Sequence, residues 1–181
     1  MPPQRYAYDF VILDAQGHSS HHTNSTAPSA FYCYGREILA PACGIIAEIA
    51  DGAPDSPISR RRRAACKAGD LRGNFVLIDH GDEVFSLLCH LKAHSIRVSV
   101  GQYVNTGDVL AACGNSGNSS EPHLHFQLQL GKDFCTAPGL PISFANISAQ
   151  PTPHYARFDP RPCETVPLPY ITRGQTVRNL N

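Results

Sequence analysis

No net charge is carried by this chain. Its 15 Lys and Arg stand against 15 Asp and Glu, so no overall field draws it to nucleic acid or to an anionic membrane. No apolar run approaches the ~20 residues of a membrane-crossing helix, and no membrane span is expected. No window of about 12 residues sustains the 3.6-residue apolar period of an amphipathic helix. The seven cysteines contain no CxxC pair, which argues against a structural zinc knuckle. There is no internal repeat. The opening MPPQRYAYDF runs straight into what reads as the first strand, without the pattern of a secretory leader.

What is present is a set of strand signals. RYAYDFVIL (5–13), EILAPACGIIAEIA (37–50), GNFVLIDHG (73–81), EVFSLLCHL (83–91), SIRVSVG (95–101), DVLAACG (108–114) and HLHFQLQL (123–130) are short and rich in Val, Ile, Leu and Phe. Gly, Asn, Asp or Pro separates them. With 42% hydrophobic and 17% charged residues, the 181-residue chain has the material for one packed domain. The expected fold is mostly β, an antiparallel sheet with a groove and few or no helices. A core over about 5–145 would be followed by an irregular proline-rich extension over 146–181. Two long loops, 14–35 with three histidines and 51–70 with the run Arg60–Arg63, are expected to wall the groove. The arginine run reads as a solvated loop, with contact to an acidic polymer as the functional alternative. Cys43, Cys89 and Cys113 lie in apolar runs, where cysteine is usually a small buried hydrophobe.

The chemistry concentrates in EPHLHFQLQ. Side chains alternate along a strand, so His123 and His125 share one face while Leu124 and Phe126 take the other. Two imidazoles on a rigid element can serve one metal centre, one as ligand and its neighbour acting on a bound water. His90 ends the strand EVFSLLCHL. Asp9 sits inside the apolar YAYDFVI, where a buried carboxylate needs a partner or a metal. Asp9, His90, His123 and His125 are the candidate site.

The segments YAYDF, VLIDHG, SLLCHL, VSVGQYVNTGDVLAACGNSGNS and PHLHFQL together resemble the lysostaphin-type (LytM-like) zinc metallopeptidases, with GNSGNSSEPHLHF the most specific run. The resemblance implies that Asp9 and His125 are metal ligands for Zn²⁺, and that His90 and His123 are catalytic without binding the metal. It also implies a bacterial peptidoglycan peptide as substrate, a secreted or cell-envelope location and a monomer. One residue departs from the pattern. The family places a ligand histidine four residues before its ligand aspartate, and here that position is Arg5, whose guanidinium has no lone pair to give. Three readings follow. A loop histidine (His18, His21 or His22) completes the shell; the third ligand lies before Met1; or the domain is degenerate and binds wall or regulates other wall hydrolases.

Overall fold

The computed structural model describes residues 4–22, 24–61, 64, 69–153, 155–158 and 170–180. Arg62, Arg63, Cys66, Cys163 and the proline-rich stretch 159–169 lie outside the described residues. The chain divides into two compact units, Met1–Leu140 and Pro141–Asn181.

The first unit is built on a seven-stranded antiparallel sheet. Its strands are β1 (Tyr8–Phe10), β3 (Gly44–Ala50), β4 (Asn74–Asp79), β5 (Val84–Leu91), β6 (Tyr103–Val104), β8 (Leu124–Leu130) and β9 (Gly139–Leu140). They lie in the order β1-β8-β5-β4-β3-β6, with β9 also paired to β8. A separate two-stranded sheet joins β2 (Glu37–Leu39) to β7 (Val109–Ala112). The mostly-β, antiparallel expectation holds. Among the described residues the helical elements are two single 3₁₀ turns, at Pro28–Ala30 and Tyr155–Arg157.

The centre of the sheet follows from composition. NFVLID and VFSLLCHL join through a turn in which Gly81, Asp82 and Glu83 all take positive φ (89°, 50° and 61°), so β4 and β5 form a hairpin. Phe75, Leu77, Phe85, Leu87 and Cys89 then bury one continuous apolar cluster. At about 25 cal/mol per Å² of apolar surface removed from water, each large side chain there is worth roughly 1.5–3 kcal/mol.

Several expectations are corrected. Residues 37–50 are two strands, because Pro41 cannot donate to a ladder and the chain bends at 41–42 before β3. Cys43 lies at that bend and is exposed, whereas Cys89 and Cys113 are buried. SIRVSVG is not a strand. It lies alongside β7, donating from Arg97 N to Leu110 O at 2.8 Å, but the Ala112 N–H goes to Ser95 Oγ at 3.0 Å. A serine hydroxyl thus takes the place of a ladder carbonyl, and regular pairing fails there. Residues 4–6 form a turn, closed by Ala7 N donating to Gln4 O at 3.2 Å, so the first strand begins at Tyr8 and not at Arg5.

The second unit pairs β10 (Ile147–Pro151) antiparallel with β11 (Gln175–Asn179), from Ile147↔Asn179 to Pro151↔Gln175. Where the sequence reads as an irregular tail, two short strands find each other across a proline-rich interval. Strand signals are local, and they do not foretell a pairing across such a gap.

Candidate active site

The sheet order brings the candidate residues together. In the register Asp9 faces His125 from β1 and Cys89 faces it from β5, so β8 is flanked by the other two site-bearing strands. His90 is delivered by a bulge. Between the pairs Val76↔Leu88 and Asn74↔Leu91 β5 holds one residue more than β4, and His90 takes φ +61°. A positive φ at a non-glycine is uncommon and is characteristic of positions held for a purpose. The bulge turns the His90 ring toward β8, with its centroid 4.7 Å from that of His123 and 5.9 Å from that of His125.

Hydrogen bonds fix the orientation of the rings. His90 Nδ1 lies 2.8 Å from Ser116 O, and His123 Nδ1 lies 2.7 Å from Glu121 O. A carbonyl oxygen only accepts, so each Nδ1 carries the proton and each Nε2 turns a lone pair to the cavity. Ser116 is held in turn, because its Oγ accepts from Asn74 N at 2.9 Å and donates to Leu91 O at 2.7 Å. The glycines of GNSGN allow this close approach. Gly117 has φ +76°, and a Cβ there would collide with Gly73 N and with Leu71 O.

His125 differs from the other two. Its Nδ1 is 2.9 Å from Asp9 Oδ1, and its Nε2 is 3.0 Å from Gln127 Oε1. His123 Nε2 lies 3.6 Å from the same Asp9 oxygen. Contrary to the apolar look of YAYDFVI, the Asp9 side chain is 63% exposed, because β1 is a three-residue strand at the sheet edge. Its partners, not burial, give it a fixed place.

The electrostatics follow from these contacts. Partial desolvation of its carboxyl at the cavity edge favours protonation of Asp9, but the His125 hydrogen bond and the nearby imidazoles outweigh it and hold the carboxyl below its ordinary value. Burial also opposes charge on His125, and here the hydrogen bonds to Asp9 and Gln127 win, so its pKa is raised. For His90 burial dominates, reinforced by His123, and pushes the imidazole down to about 3. Burial likewise raises the Cys89 thiol, which stays neutral on the cavity floor.

A stability consequence follows in the metal-free protein. Unfolded His90 takes a proton near 6.5, and the folded residue takes one only near 3, so stability falls as pH drops through that interval. Raised His125 contributes its slope above 6.5, and lowered Asp9 contributes below 3.8. Between about pH 4 and 6.5, His90→Gln should therefore flatten the urea-unfolding free energy by up to ~1.4 kcal/mol per pH unit. An unchanged slope would show that His90 is not held neutral.

The four residues line a cavity of about 290 Å³, together with Gln4, Ala64, Leu71, Arg72, Cys89, Asn118, Ser120 and Phe134. A neighbouring depression of about 520 Å³ shares Leu71, Arg72 and Phe134 and adds Glu48, Asp70, Lys132 and Asp133, so the expected groove is present. Arg72 is braced between the two, 3.8 Å over the Phe75 ring and 2.8 Å from Asp70. Among the described residues, the 51–70 loop contributes Ala64 to the wall and the 14–35 loop contributes none. The loop histidines are occupied elsewhere or turned outward. His18 lies 3.3 Å from Asp14, His21 packs edge-on against Tyr32, and His22 is exposed. Arg5 sits 5.6 Å from the ring centre of Tyr6, and Gln4 rather than Arg5 reaches the cavity.

Among the described residues, no three His, Cys, Asp or Glu side chains are arranged to hold a metal ion. A carboxylate oxygen and an imidazole nitrogen 2.9 Å apart nevertheless match the donor chemistry of zinc. The pair is one protein donor short of the three that catalytic zinc sites use.

Residues 29–136 match Peptidase family M23, and the chain belongs to that family. The matched span includes His90, His123 and His125, and Asp9 precedes it. Among curated relatives, the chain is 39% identical over 56 residues to peptidoglycan DD-endopeptidase ShyA of Vibrio cholerae, covering 31% of this chain and 13% of that protein. It is 32% identical over 87 residues to DD-carboxypeptidase/endopeptidase Mpg of Neisseria meningitidis, covering 48% and 18%. The matches thus span less than a fifth of either relative. Among solved structures, lysostaphin from Staphylococcus simulans aligns at 22% identity with a TM-score of 0.44, over 67% of this chain and 47% of that one.

Proposed function

We propose that this chain is a zinc metallo-endopeptidase, monomeric and secreted or envelope-located, that hydrolyses peptide cross-links of bacterial peptidoglycan. The observation that carries the reading is the meeting of Asp9, His90, His123 and His125 in one cavity of an M23 chain. The substrate class is supported by the relatives named as peptidoglycan endopeptidases. Asp9 Oδ1 and His125 Nδ1 would hold the metal. When bound, zinc lowers the pKa of a water toward ~7 and polarises the scissile carbonyl. The Nε2 lone pair of His123, nearest to Asp9, takes the water's proton. His90, unprotonated, offers a second lone pair to the same space. To hold an oxyanion by hydrogen bond His90 would need a proton on Nε2, and the attacking water, whose other proton goes to His123, would be its source.

One observation favours a second reading, a degenerate domain that binds wall or regulates wall hydrolases: among the described residues no three His, Cys, Asp or Glu side chains are placed to hold a metal ion. Elemental analysis of gently purified protein, with digestion of isolated peptidoglycan, separates the two. About one zinc per chain with release of cleaved peptides is the expected result. Retention on peptidoglycan with neither zinc nor cleavage would make the second reading the correct one.

A further inference from the structure

Two thiols with no part in the proposed chemistry meet inside the first unit. Cys33 and Cys113 are 4% and 2% exposed, and both are free thiols in the structure. The backbone brings them together. Ahead of β2 the chain closes a turn in which Arg36 N donates to Cys33 O at 3.1 Å and Gly35 takes φ +75°, a conformation open to glycine. The chain leaving β7 is laced to the far side of that turn. Cys113 N donates to Arg36 O and Gly35 N donates to Cys113 O, each at 2.8 Å. Such a turn returns its first and last Cα atoms to within ~7 Å, and neighbouring chains in a ladder lie ~5 Å apart, so the two cysteines fall within reach of each other.

Their sulfurs are in contact. The Cys113 thiol hydrogen-bonds the Cys33 sulfur, and the Ile12 N–H is aimed at the same atom. Cys33 donates its own S–H to Pro122 O at 3.0 Å, whereas the backbone acceptor near Cys113, Gly114 O, is 3.9 Å away. The bond between the thiols holds Cys33 below its ordinary pKa and pushes Cys113 up, which makes Cys33 the readier nucleophile. Cys89 shows the contrast. It packs among Phe75, Leu77, Phe85 and Leu87 as a small hydrophobe, while Cys33 and Cys113 face each other.

We propose that Cys33 and Cys113 are the site of an intramolecular disulfide, made by an oxidant that is itself a disulfide. The Cys33 thiolate attacks one sulfur of the oxidant, forming a mixed disulfide and releasing one thiolate. The Cys113 thiolate then attacks the Cys33 sulfur and displaces the other half of the oxidant. One S–S bond breaks and one forms. The protein gives up two electrons and two protons, and the oxidant leaves as two thiols. Because both sulfurs are buried, the exchange takes place as the chain folds or when the turn opens, and the closed fold then screens the bond from reductant. The bond ties the 14–35 loop to the run that leads from β7 into the HLH histidines. It rests on neither the metal nor the peptidase reading.

Peptide mapping of the unsubstituted protein tests it. Reduced protein is unfolded in urea and refolded with oxidised and reduced glutathione, and the remaining thiols are capped with iodoacetamide in denaturant. Unreduced digests should contain the Cys33 and Cys113 peptides joined to each other and separable by reductant. By closing a long loop, the bond should raise the urea midpoint by ~1 M or more over protein kept reduced. That difference should vanish in Cys33→Ala and in Cys113→Ala, and should persist in Cys135→Ser, which removes an exposed thiol. Cys33 and Cys113 both recovered capped or carrying glutathione would overturn the proposal without any variant having to fold. So would either of them joined to a different cysteine, or a Cys33–Cys113 bond that leaves the midpoint unchanged or lower.

Discussion

His125→Ala should abolish zinc binding, and His123→Ala should keep the metal while losing hydrolysis by ~100-fold or more, the scale of removing a general base. The division rests on what each ring touches. His125 Nδ1 and Asp9 Oδ1 are in contact at 2.9 Å, and removing the ring leaves Asp9 as the remaining proposed donor. His123 is anchored through Nδ1 to Glu121 O, which leaves Nε2 directed at the cavity, 3.6 Å from Asp9 Oδ1. Zinc content by elemental analysis and turnover on isolated peptidoglycan decide it. Equal loss of zinc in both variants would put His123 in the coordination shell and remove the base from the scheme.

Gln4→His should raise zinc affinity by at least tenfold, or ~1.4 kcal/mol, and should do so more than Arg5→His. Counted along the chain, Arg5 is the residue standing where the resembled family has its histidine. In space the turn at residues 4–6 directs Gln4 to the cavity and leaves Arg5 beside Tyr6. An imidazole at position 4 adds a third nitrogen or oxygen donor, completing the number that catalytic zinc sites use. Arg5→His removes a positive charge near the site, a smaller effect once water screens it. Calorimetric titration of metal-free protein with zinc reads both. If Arg5→His gives the larger gain, the N-terminal turn rearranges when metal binds. If neither variant gains affinity, the shell is not limited by a missing donor, and the wall-binding reading gains ground.

Much of this site was legible because strands obey a period of two. HLHFQLQ places its two histidines on one face, and the structure has both rings lining one cavity. The same period continues into Gln127 and Gln129. Their burial went unread because a glutamine in a strand is ordinarily expected on its wet face. His90 was legible as a residue but not as a geometry, since the bulge that turns it depends on how β5 registers with β4. Ser116 was hidden in a glycine-rich run whose local meaning is only a turn. Asp9 was picked for the wrong physical reason, its apolar neighbours, because sequence does not say which strand lies at a sheet edge. The failed strand at SIRVSVG had ample β-branched residues, and one serine hydroxyl displaced its pairing.

The edge position of β1 has a consequence for the order in which this protein comes apart. Among the described residues β1 is three residues of ladder paired on one side only, a weak attachment that frays at little cost. Asp9 is carried on that segment, while His123 and His125 lie at the sheet interior on β8 and just before it. The carboxylate half of the site can therefore peel away with β1 while the imidazole half stays seated. Anything that bridges the two halves acts as a clasp on the N-terminal strand. Amide hydrogen exchange in residues 8–10 then becomes a gauge of occupancy that needs no substrate.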